Sequence, residues 1–289
     1  MSTQERHHIG LIGSGIDTSM SPSLHNSEAS RLGLADYSYD LIELDPRADP
    51  GQVLRDKIDS GYTGFNVTHP FKRSIVASLD DLSHDARMLG AVNTVAVRDG
   101  RSVGFNTDHT GFLTALGDGL PSVPLDCVTL IGAGGAGSAV AFALATAGVR
   151  DLRICDVNEH RARDLSEQIT RVAPATSVTT SSPDSIEATL STSDGVVNAS
   201  PIGMVGHPGT PFPVSALRAS MWVADIVYRP LRTDILAAAM AVGSPVLDGG
   251  RMVVGQAADA FVLLTGTTPD RERMRLSFIE SIAALSIEA

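Results

Sequence analysis

The hexapeptide Gly132-Ala133-Gly134-Gly135-Ala136-Gly137 constrains this 289-residue chain more than any other feature. An apolar run, residues 128–131, leads straight into it, and an alanine-rich stretch of helical character, residues 136–147, follows. A Gly-x-Gly-x-x-Gly pattern alone is weak, but between a buried strand and a helix it marks a βαβ dinucleotide turn. Gly132 allows the tight turn, Gly134 lets backbone approach a pyrophosphate, and Gly137 permits close packing of helix on strand. The helix N-terminus then offers free N–H groups and positive partial charge to phosphates. Gly132, Gly134, Gly135, Ala136 and Gly137 are therefore candidate cofactor-binding residues; a tight βα turn without a ligand is the competing reading.

Asp156 ends the next apolar run, 24 residues after Gly132. A carboxylate there accepts hydrogen bonds from the adenosine ribose and repels a 2′-phosphate, which favours NAD over NADP. Arg161, five residues on, has the chemistry to bind that phosphate or stack on the base, so the sequence leaves NADP open. A turn or N-cap role for Asp156, ahead of the helix from Asn158, is the other reading.

The rest of the chain repeats the strand–helix alternation. Residues 9–12, 37–44, 64–67 and 93–97 read as strands, with helical spacing at 22–32 and 51–58. After a turn-rich stretch at 117–124, further strands are expected at 128–131, 152–155, 195–198 and 222–227, with a helix at 161–169. Two helical segments, 253–264 and 271–285, close the chain. The pattern is α/β, with largely parallel sheets covered by helices. The domain transition is expected in the turn-rich stretch or on the helix just before it.

Composition limits the partners. Hydrophobic residues make up 43% and charged residues 19%, enough to bury a full core. A net charge of -11 disfavours nucleic acid and anionic membranes, which need clustered positive charge. Cys127 and Cys155 sit in apolar runs and read as small core hydrophobes, with no disulfide framework or metal spacing. The polar start of the chain carries no signal peptide, and no apolar run reaches the ~20 residues of a membrane span, so a cytoplasmic location is expected.

Of 22 basic residues only Lys57 and Lys72 are lysine. Arginine holds its proton near neutral pH, whereas a lysine can release it in suitable surroundings, so a lone lysine is a candidate general base. Lys57 shares a charged helical face with Arg55, Asp56 and Asp59 and reads as a surface residue. Lys72 follows Asn66-Val67-Thr68-His69-Pro70-Phe71, a strand end leading into a proline-started helix. Such strand ends face the binding crevice in parallel sheets. Two more polar strand ends, Gly90-Ala91-Val92-Asn93-Thr94 and Gly104-Phe105-Asn106-Thr107-Asp108, supply amide, hydroxyl and carboxylate groups suited to a polyhydroxylated ligand. His69, before a proline, reads as structural.

Several of these segments together resemble the shikimate dehydrogenase family. They are Ser19-Met20-Ser21-Pro22-Ser23-Leu24-His25-Asn26, residues 66–72, residues 90–94 and Asn106-Thr107-Asp108. Further along come Asn198-Ala199-Ser200-Pro201-Ile202-Gly203-Met204, Asp225-Ile226-Val227-Tyr228-Arg229-Pro230 and Gln256-Ala257-Ala258. The matches run in family order over nearly the whole chain, and His69-Pro70 with Asp156 looks most like the NAD-dependent quinate/shikimate dehydrogenases.

The resemblance implies an N-terminal αβα substrate domain (1–110), a Rossmann-like dinucleotide-binding domain (111–250) and C-terminal helices (251–289) packing back on the first, with a cleft between the domains. It implies Lys72 and Asp108 as the catalytic pair and Ser19, Ser21 and Tyr228 around a substrate carboxylate. Thr68, Asn93, Asp108 and Gln256 would hold ring hydroxyls. Ser200, Val227 and Gly249 would lie near the cofactor. Read singly, Ser19 and Ser21 could instead cap the helix beginning at Pro22. The resemblance also implies a small-molecule substrate, and a monomer or homodimer is expected; the eight histidines lack ligand spacing, so no metal is expected.

One departure is Asp248-Gly249-Gly250-Arg251-Met252, where the family has a glycine in place of Arg251. The paired serines look like shikimate-preferring members and His69-Pro70 with Asp156 like quinate users, which leaves the substrate open. The competing functions are an NADP-dependent biosynthetic shikimate dehydrogenase, a folate methylene oxidoreductase and a catalytically silent NAD- or metabolite-binding regulator.

Overall fold

The computed structural model describes residues 6–287. The chain divides into two compact units. One combines the chain up to Thr107 with the chain from Gln256 onward, and the other is Asp108–Gly255.

The first unit opens with strand β1 (His7–Gly13), helix α1 (Ser21–Arg31), β2 (Tyr37–Glu43) and α2 (Pro50–Asp59). It continues with β3 (Gly64–Val67), β4 (Asp81–Leu82), α3 (His84–Leu89), β5 (Thr94–Arg98) and β6 (Arg101–Phe105). Local chemistry sets the helix ends. Asp49 accepts the Gly51 N–H ahead of a Pro at the first turn of α2, and Ser83 accepts the Ala86 N–H at the start of α3. The described strands form one sheet in the order β2-β1-β3-β5-β6-β4.

This sheet is mixed. β1 pairs in parallel with β2 and β3, but β5 runs antiparallel to both β3 and β6. The reason is a two-residue hairpin at Asp99-Gly100, both at positive φ (52° and 74°), which suits the twist of antiparallel strands. The segment 93–97, expected as one more parallel strand, is thus the first arm of a hairpin.

A second difference lies at Pro70. The His69–Pro70 peptide is cis, and residues 69–73 form turns before a 3₁₀ helix at Ser74–Ser78, in place of the proline-started helix expected there.

The second unit contains most of α4 (Thr107–Gly119), then β7 (Cys127–Ile131), α5 (Gly135–Thr146), β8 (Asp151–Cys155), α6 (Glu159–Val172) and β9 (Ser177–Ser181). It goes on through α7 (Ile186–Ser191), β10 (Gly195–Asn198), β11 (Trp222–Asp225), α8 (Asp234–Ala241) and β12 (Val246–Leu247) into α9 (Gly249–Thr265). Its strands are all parallel, in the order β12-β11-β10-β7-β8-β9. That is the doubly wound Rossmann arrangement, whose direction of winding reverses between β7 and β10. Buried Ala162, Leu165 and Ile169 give α6 a core-facing stripe at helical spacing. Cys155 is buried as expected, but Cys127, at the mouth of β7, is only half-buried and lies beside Asp151 and Ser193.

The end of α9 and α10 (Arg271–Ile287) return to the first unit. Ala260 and Leu264 join Ile9, Leu11, Ile16 and Tyr39 in one core cluster. Buried Glu28 of α1 accepts the Asp270 N–H at 2.8 Å and is ion-paired with Arg273. Among the described residues no helix is long and apolar enough to cross a membrane.

Candidate active site

In the first unit the polar residues collect at one end of the sheet. The register places Asn66 of β3 opposite Thr94 of β5, and Thr94 opposite Phe105 of β6. Because β5 is antiparallel, its beginning lies beside the ends of β3 and β6. Three polar segments distant in sequence meet there for that reason.

They are joined by buried hydrogen bonds. Asn93 Oδ1 accepts the Thr107 N–H at 2.7 Å, and Asn93 Nδ2 donates to Thr107 Oγ1 at 2.9 Å. Asn66 Nδ2 donates to the Asn93 carbonyl at 3.1 Å and to Thr94 Oγ1 at 3.0 Å. Tyr39 of β2 donates to Asn66 Oδ1 at 2.8 Å. Burial raises the Tyr39 phenol well above its ordinary range, and the Ser21 side chain lowers it only partly. A buried, fully linked polar network of this kind is rigid.

Lys72 is half-buried in the turn after β3, and its carbonyl accepts the Val92 N–H at 2.8 Å, which ties it to the segment carrying Asn93. Thr68, also half-buried, donates its N–H to the Ile12 carbonyl at 2.9 Å. A Cβ on Gly13 would come within 2.4 Å of the Thr68 methyl, so the close approach of β1 to Thr68 depends on that glycine. His69 is exposed and acts through its backbone, its carbonyl accepting the Ser14 N–H at 3.0 Å.

The loop carrying the serine pair is held from β2. The Glu43 carboxylate accepts the Gly15 N–H at 2.6 Å and the Ile16 N–H at 2.9 Å. Ser19 Oγ accepts the Ser21 N–H at 3.3 Å, so Ser19 has a share in starting α1. Ser21, half-buried, is the first residue of α1 and makes no side-chain cap. Asp108 is buried in the first turn of α4, one residue beyond the pinned Thr107, and Gln256 is half-buried on α9.

In the second unit the candidate residues converge at the reversal point of the sheet. Gly132 has φ +102°, and a Cβ there would lie 2.7 Å from the Ala199 carbonyl and 2.8 Å from the Ser200 nitrogen. A Cβ on Gly137 would sit 2.0 Å from the Gly132 oxygen, so this glycine fits helix to turn as well as helix to strand. Gly134 and Gly135 have open space where a Cβ would project. The first bond inside α5 is Ser138 N–H to Gly134 C=O, which leaves the N–H groups of Gly135, Ala136 and Gly137 at the helix start for an anion. These features fit a dinucleotide pyrophosphate.

Asp156 is pinned beside that turn. Its Oδ2 accepts the Ala133 N–H at 2.7 Å and its Oδ1 the Asn158 N–H at 2.8 Å. Asn158 is the N-cap of α6, so the capping role falls two residues later than Asp156. Each carboxylate oxygen retains a lone pair for another donor. Arg161 is exposed on α6. Val157, 91% exposed, stands directly after Asp156.

A buried cluster missing from the sequence reading organises the loops after β10 and β11. The Asp225 carboxylate accepts from Asn198 Nδ2 (3.0 Å), the Val227 N–H (3.0 Å) and Thr233 Oγ1 (2.7 Å). Burial raises its pKa to about 6, against the lowering effect of the bonds from Thr233, Val227 and Asn198. Asn198 Oδ1 in turn accepts the Ser200 N–H and hydroxyl, at 3.1 and 2.7 Å. Ser200 and Val227 are thereby fixed through one carboxylate. Gly249 packs against the same loop, since a Cβ would meet the carbonyls of Ile226 and Val227 at 2.3 and 2.5 Å. Tyr228 is half-buried, ahead of a cis Arg229–Pro230 peptide, and Arg251 is exposed with its stem near Gly119. Among the described residues no group of three or more His, Cys, Asp or Glu could hold a metal ion.

Residues 11–95 match the family model of the shikimate dehydrogenase substrate binding domain. The chain is 46% identical over 289 residues to shikimate dehydrogenase (NADP(+)) of Pseudarthrobacter chlorophenolicus, covering 99% of this chain and 98% of that one. It is 44% identical to quinate/shikimate dehydrogenase (NAD(+)) of Corynebacterium glutamicum, covering 94% and 97%. The solved quinate dehydrogenase of Corynebacterium glutamicum in complex with NAD superimposes with a TM-score of 0.92 at 42% identity, over 95% of this chain and 99% of that one. The chain belongs to the shikimate dehydrogenase family of oxidoreductases. Its first unit is similar to the family's substrate domain, and its second is Rossmann-like.

Proposed function

We propose that this protein is an NAD-dependent dehydrogenase that oxidises a ring hydroxyl of shikimate, quinate or both, yielding 3-dehydroshikimate or 3-dehydroquinate. The observation that carries the reading is the network linking Tyr39, Asn66, Asn93 and Thr107, with Thr68 and Lys72 beside it. Fixed amides and hydroxyls of this kind suit a small acid with several ring hydroxyls, because a site built on hydrogen bonds rejects ligands that leave them unmade.

NAD, when bound, supplies the hydride acceptor. Gly132 to Gly137 would hold its pyrophosphate and Asp156 its ribose, with Ser200, Val227 and Gly249 further along. Lys72 takes the proton of the reacting hydroxyl as the ketone forms and returns it in the reverse direction. Positioned proton transfer of this type is worth on the order of 10²–10⁴ in rate. Ser19 and Ser21 hold the carboxylate together with Tyr228, and Thr68, Asn93, Asp108 and Gln256 hold the hydroxyls. Orientation by these groups lowers the barrier independently of the base.

NAD is favoured over NADP by the Asp156 carboxylate and by the exposed Val157 beside it, which offers no charge to a 2′-phosphate. The competing NADP-dependent reading draws on the relative from Pseudarthrobacter chlorophenolicus. Initial rates with shikimate and quinate, each against NAD and NADP, test both points, in the wild type and in Asp156→Ser. The expected result is faster turnover with NAD, and a fall of about tenfold or more in the NAD-to-NADP preference of the variant, the size of one charge-assisted hydrogen bond. No turnover of either acid defeats the reading, and an unmoved preference in the variant defeats the role of Asp156.

A further inference from the structure

The loop after β11, residues 226–232, is closed at its neck by two side chains. Asp225 ends β11 and Thr233 precedes α8, each 1% exposed, and Thr233 Oγ1 donates to Asp225 Oδ2 at 2.7 Å. Thr233 stands at the N-cap of α8, where a threonine ordinarily bonds the helix start, yet it makes no side-chain cap. Its hydroxyl serves the carboxylate and not the helix. Inside the closed loop the Val227 N–H bonds back to Asp225 Oδ1 at 3.0 Å, and Gly249 lies against Ile226 and Val227. The Arg229 carbonyl accepts the Val205 N–H at 2.9 Å, which joins this loop to the one after β10.

The direction of each bond at Asp225 follows from its neighbours. The Ile202 carbonyl only accepts and the Ser200 N–H only donates, so the Asn198 amide has one possible orientation, with an N–H aimed at Asp225 Oδ1. The Val227 N–H also only donates, so Oδ1 must be an acceptor. An amide in place of the carboxylate keeps an oxygen there and turns its NH2 group on Thr233. Asp225→Asn and Thr233→Val therefore remove the same bond. Burial raises the pKa of Asp225 to about 6 against the lowering effect of its donors, so the ionised group is held at a cost in stability. A charge kept at such a cost stabilises the fold less than it orders the loop.

A doubly wound sheet takes one half of a dinucleotide on each side of its reversal point. Asp156, after β8, marks the adenosine side. The ends of β10 and β11 are left for the nicotinamide half.

We propose that Asp225 and Thr233 are positioning residues for hydride transfer, closing the loop 226–232 so that Val227 is held in place at the nicotinamide end of the bound dinucleotide. The proposal rests on the reading of Ser200 and Val227 as cofactor residues. Neither Asp225 nor Thr233 itself touches the cofactor.

The test is the single-turnover rate of NADH formation, with NAD and the acid both saturating. It is measured in the wild type, Asp225→Asn, Thr233→Val, Thr233→Ser and the double variant Asp225→Asn/Thr233→Val. Asp225→Asn and Thr233→Val are each expected to slow hydride transfer about tenfold, since a small misplacement of the reacting atoms suffices for that. NAD affinity by calorimetry should move by less than about threefold, because the pyrophosphate turn is untouched. Thr233→Ser keeps the donor and should recover most of the rate. The double variant should be no slower than the slower single one, because only one bond is lost. At pH 7 Asp225→Asn should melt no lower than the wild type, because its buried charge is gone.

A wild-type rate in either folded single variant, additive losses in the double variant, or a loss that Thr233→Ser does not recover overturns the proposal. Thermal melting identifies a single variant that fails to fold, and the other then decides by the same rate. Wild-type turnover of neither acid removes the functional reading and this proposal together. Normal wild-type turnover with unresponsive variants removes this proposal only.

Discussion

The two units build their polar ends from different materials. In the first, side chains do the positioning: Asn66, Asn93, Thr94 and Thr107 bond to one another, and Tyr39 donates to Asn66. In the second, backbone lies against backbone at Gly132, Gly137 and Gly249, and one buried carboxylate, Asp225, holds the neighbouring loops. A surface of side-chain donors and acceptors discriminates among similar hydroxylated acids. A surface of N–H groups and missing Cβ atoms receives a phosphate with little regard to what carries it. The first should fail when polar atoms are removed, and the second when atoms are added.

The largest expected effect belongs to the first unit. Lys72→Ala should reduce turnover by on the order of a hundredfold or more, while NAD affinity, measured by calorimetry, stays as in the wild type. Wild-type turnover in this variant would end the assignment of Lys72 as acid/base.

Acid sharpens the comparison, because the units contain oppositely shifted buried groups. Burial lowers His25 of the first unit from 6.5 to about 3 and raises Asp225 of the second from 3.8 to about 6. A lowered histidine binds fewer protons folded than unfolded, so its contribution is complete above pH 6.5 and is lost as pH falls toward 3. A raised carboxylate binds more protons folded, so its contribution is complete below pH 3.8 and is lost as pH rises toward 6. The shifts correspond to stability changes on the order of 5 kcal/mol for His25 and 3 kcal/mol for Asp225 across their windows. Urea unfolding with amide exchange should show the stability difference between wild type and His25→Gln shrinking from pH 7 to pH 4.5. For Asp225→Asn, a wild-type advantage at pH 4.5 should shrink as pH rises to 7. Parallel trends in the two variants would contradict the assigned shifts.

The smallest effect comes from adding one methyl group. Gly137→Ala puts a Cβ 2.0 Å from the Gly132 oxygen, so helix and turn must separate. Overpacking of this kind costs about 1–3 kcal/mol. NAD affinity should fall by about tenfold or more with shikimate affinity unchanged, both read by calorimetry. An unchanged NAD affinity would mean that the turn does not carry the cofactor.

Legibility in the sequence followed the same division. The second unit was readable because its constraint is local: the strand, the glycines and the helix are contiguous, and the register of β7, β8 and β10 follows from the βαβ pattern. In the first unit the polar segments were visible and the resemblance grouped them around one ligand, but the antiparallel register that joins them was not, because it depends on the Asp99-Gly100 reversal that sets β6 against β5. That dipeptide, flanked by strand-forming residues, is itself a hairpin signal. Tyr39 gave no such signal, and Asp225 stood out only as part of a segment resembling the family, with no role attached. A tyrosine in a strand and an aspartate at a strand end are common, and their partners lie far away in the chain. Glu43 was hidden for the same reason, since its two N–H partners sit 28 and 27 residues earlier.

The core cluster that joins Ile9, Leu11 and Tyr39 to Ala260 and Leu264 has a consequence for biosynthesis. A chain emerging from the ribosome N-terminus first has all of Asp108–Gly255 available before the helices that complete the opening unit have been made. The middle of the polypeptide can mature first, while β1 and β2 wait with apolar faces uncovered until the helical segment from Gln256 onward arrives. Emergence of α10, and the closure of Arg273 on Glu28 that it permits, is then the step that covers those faces.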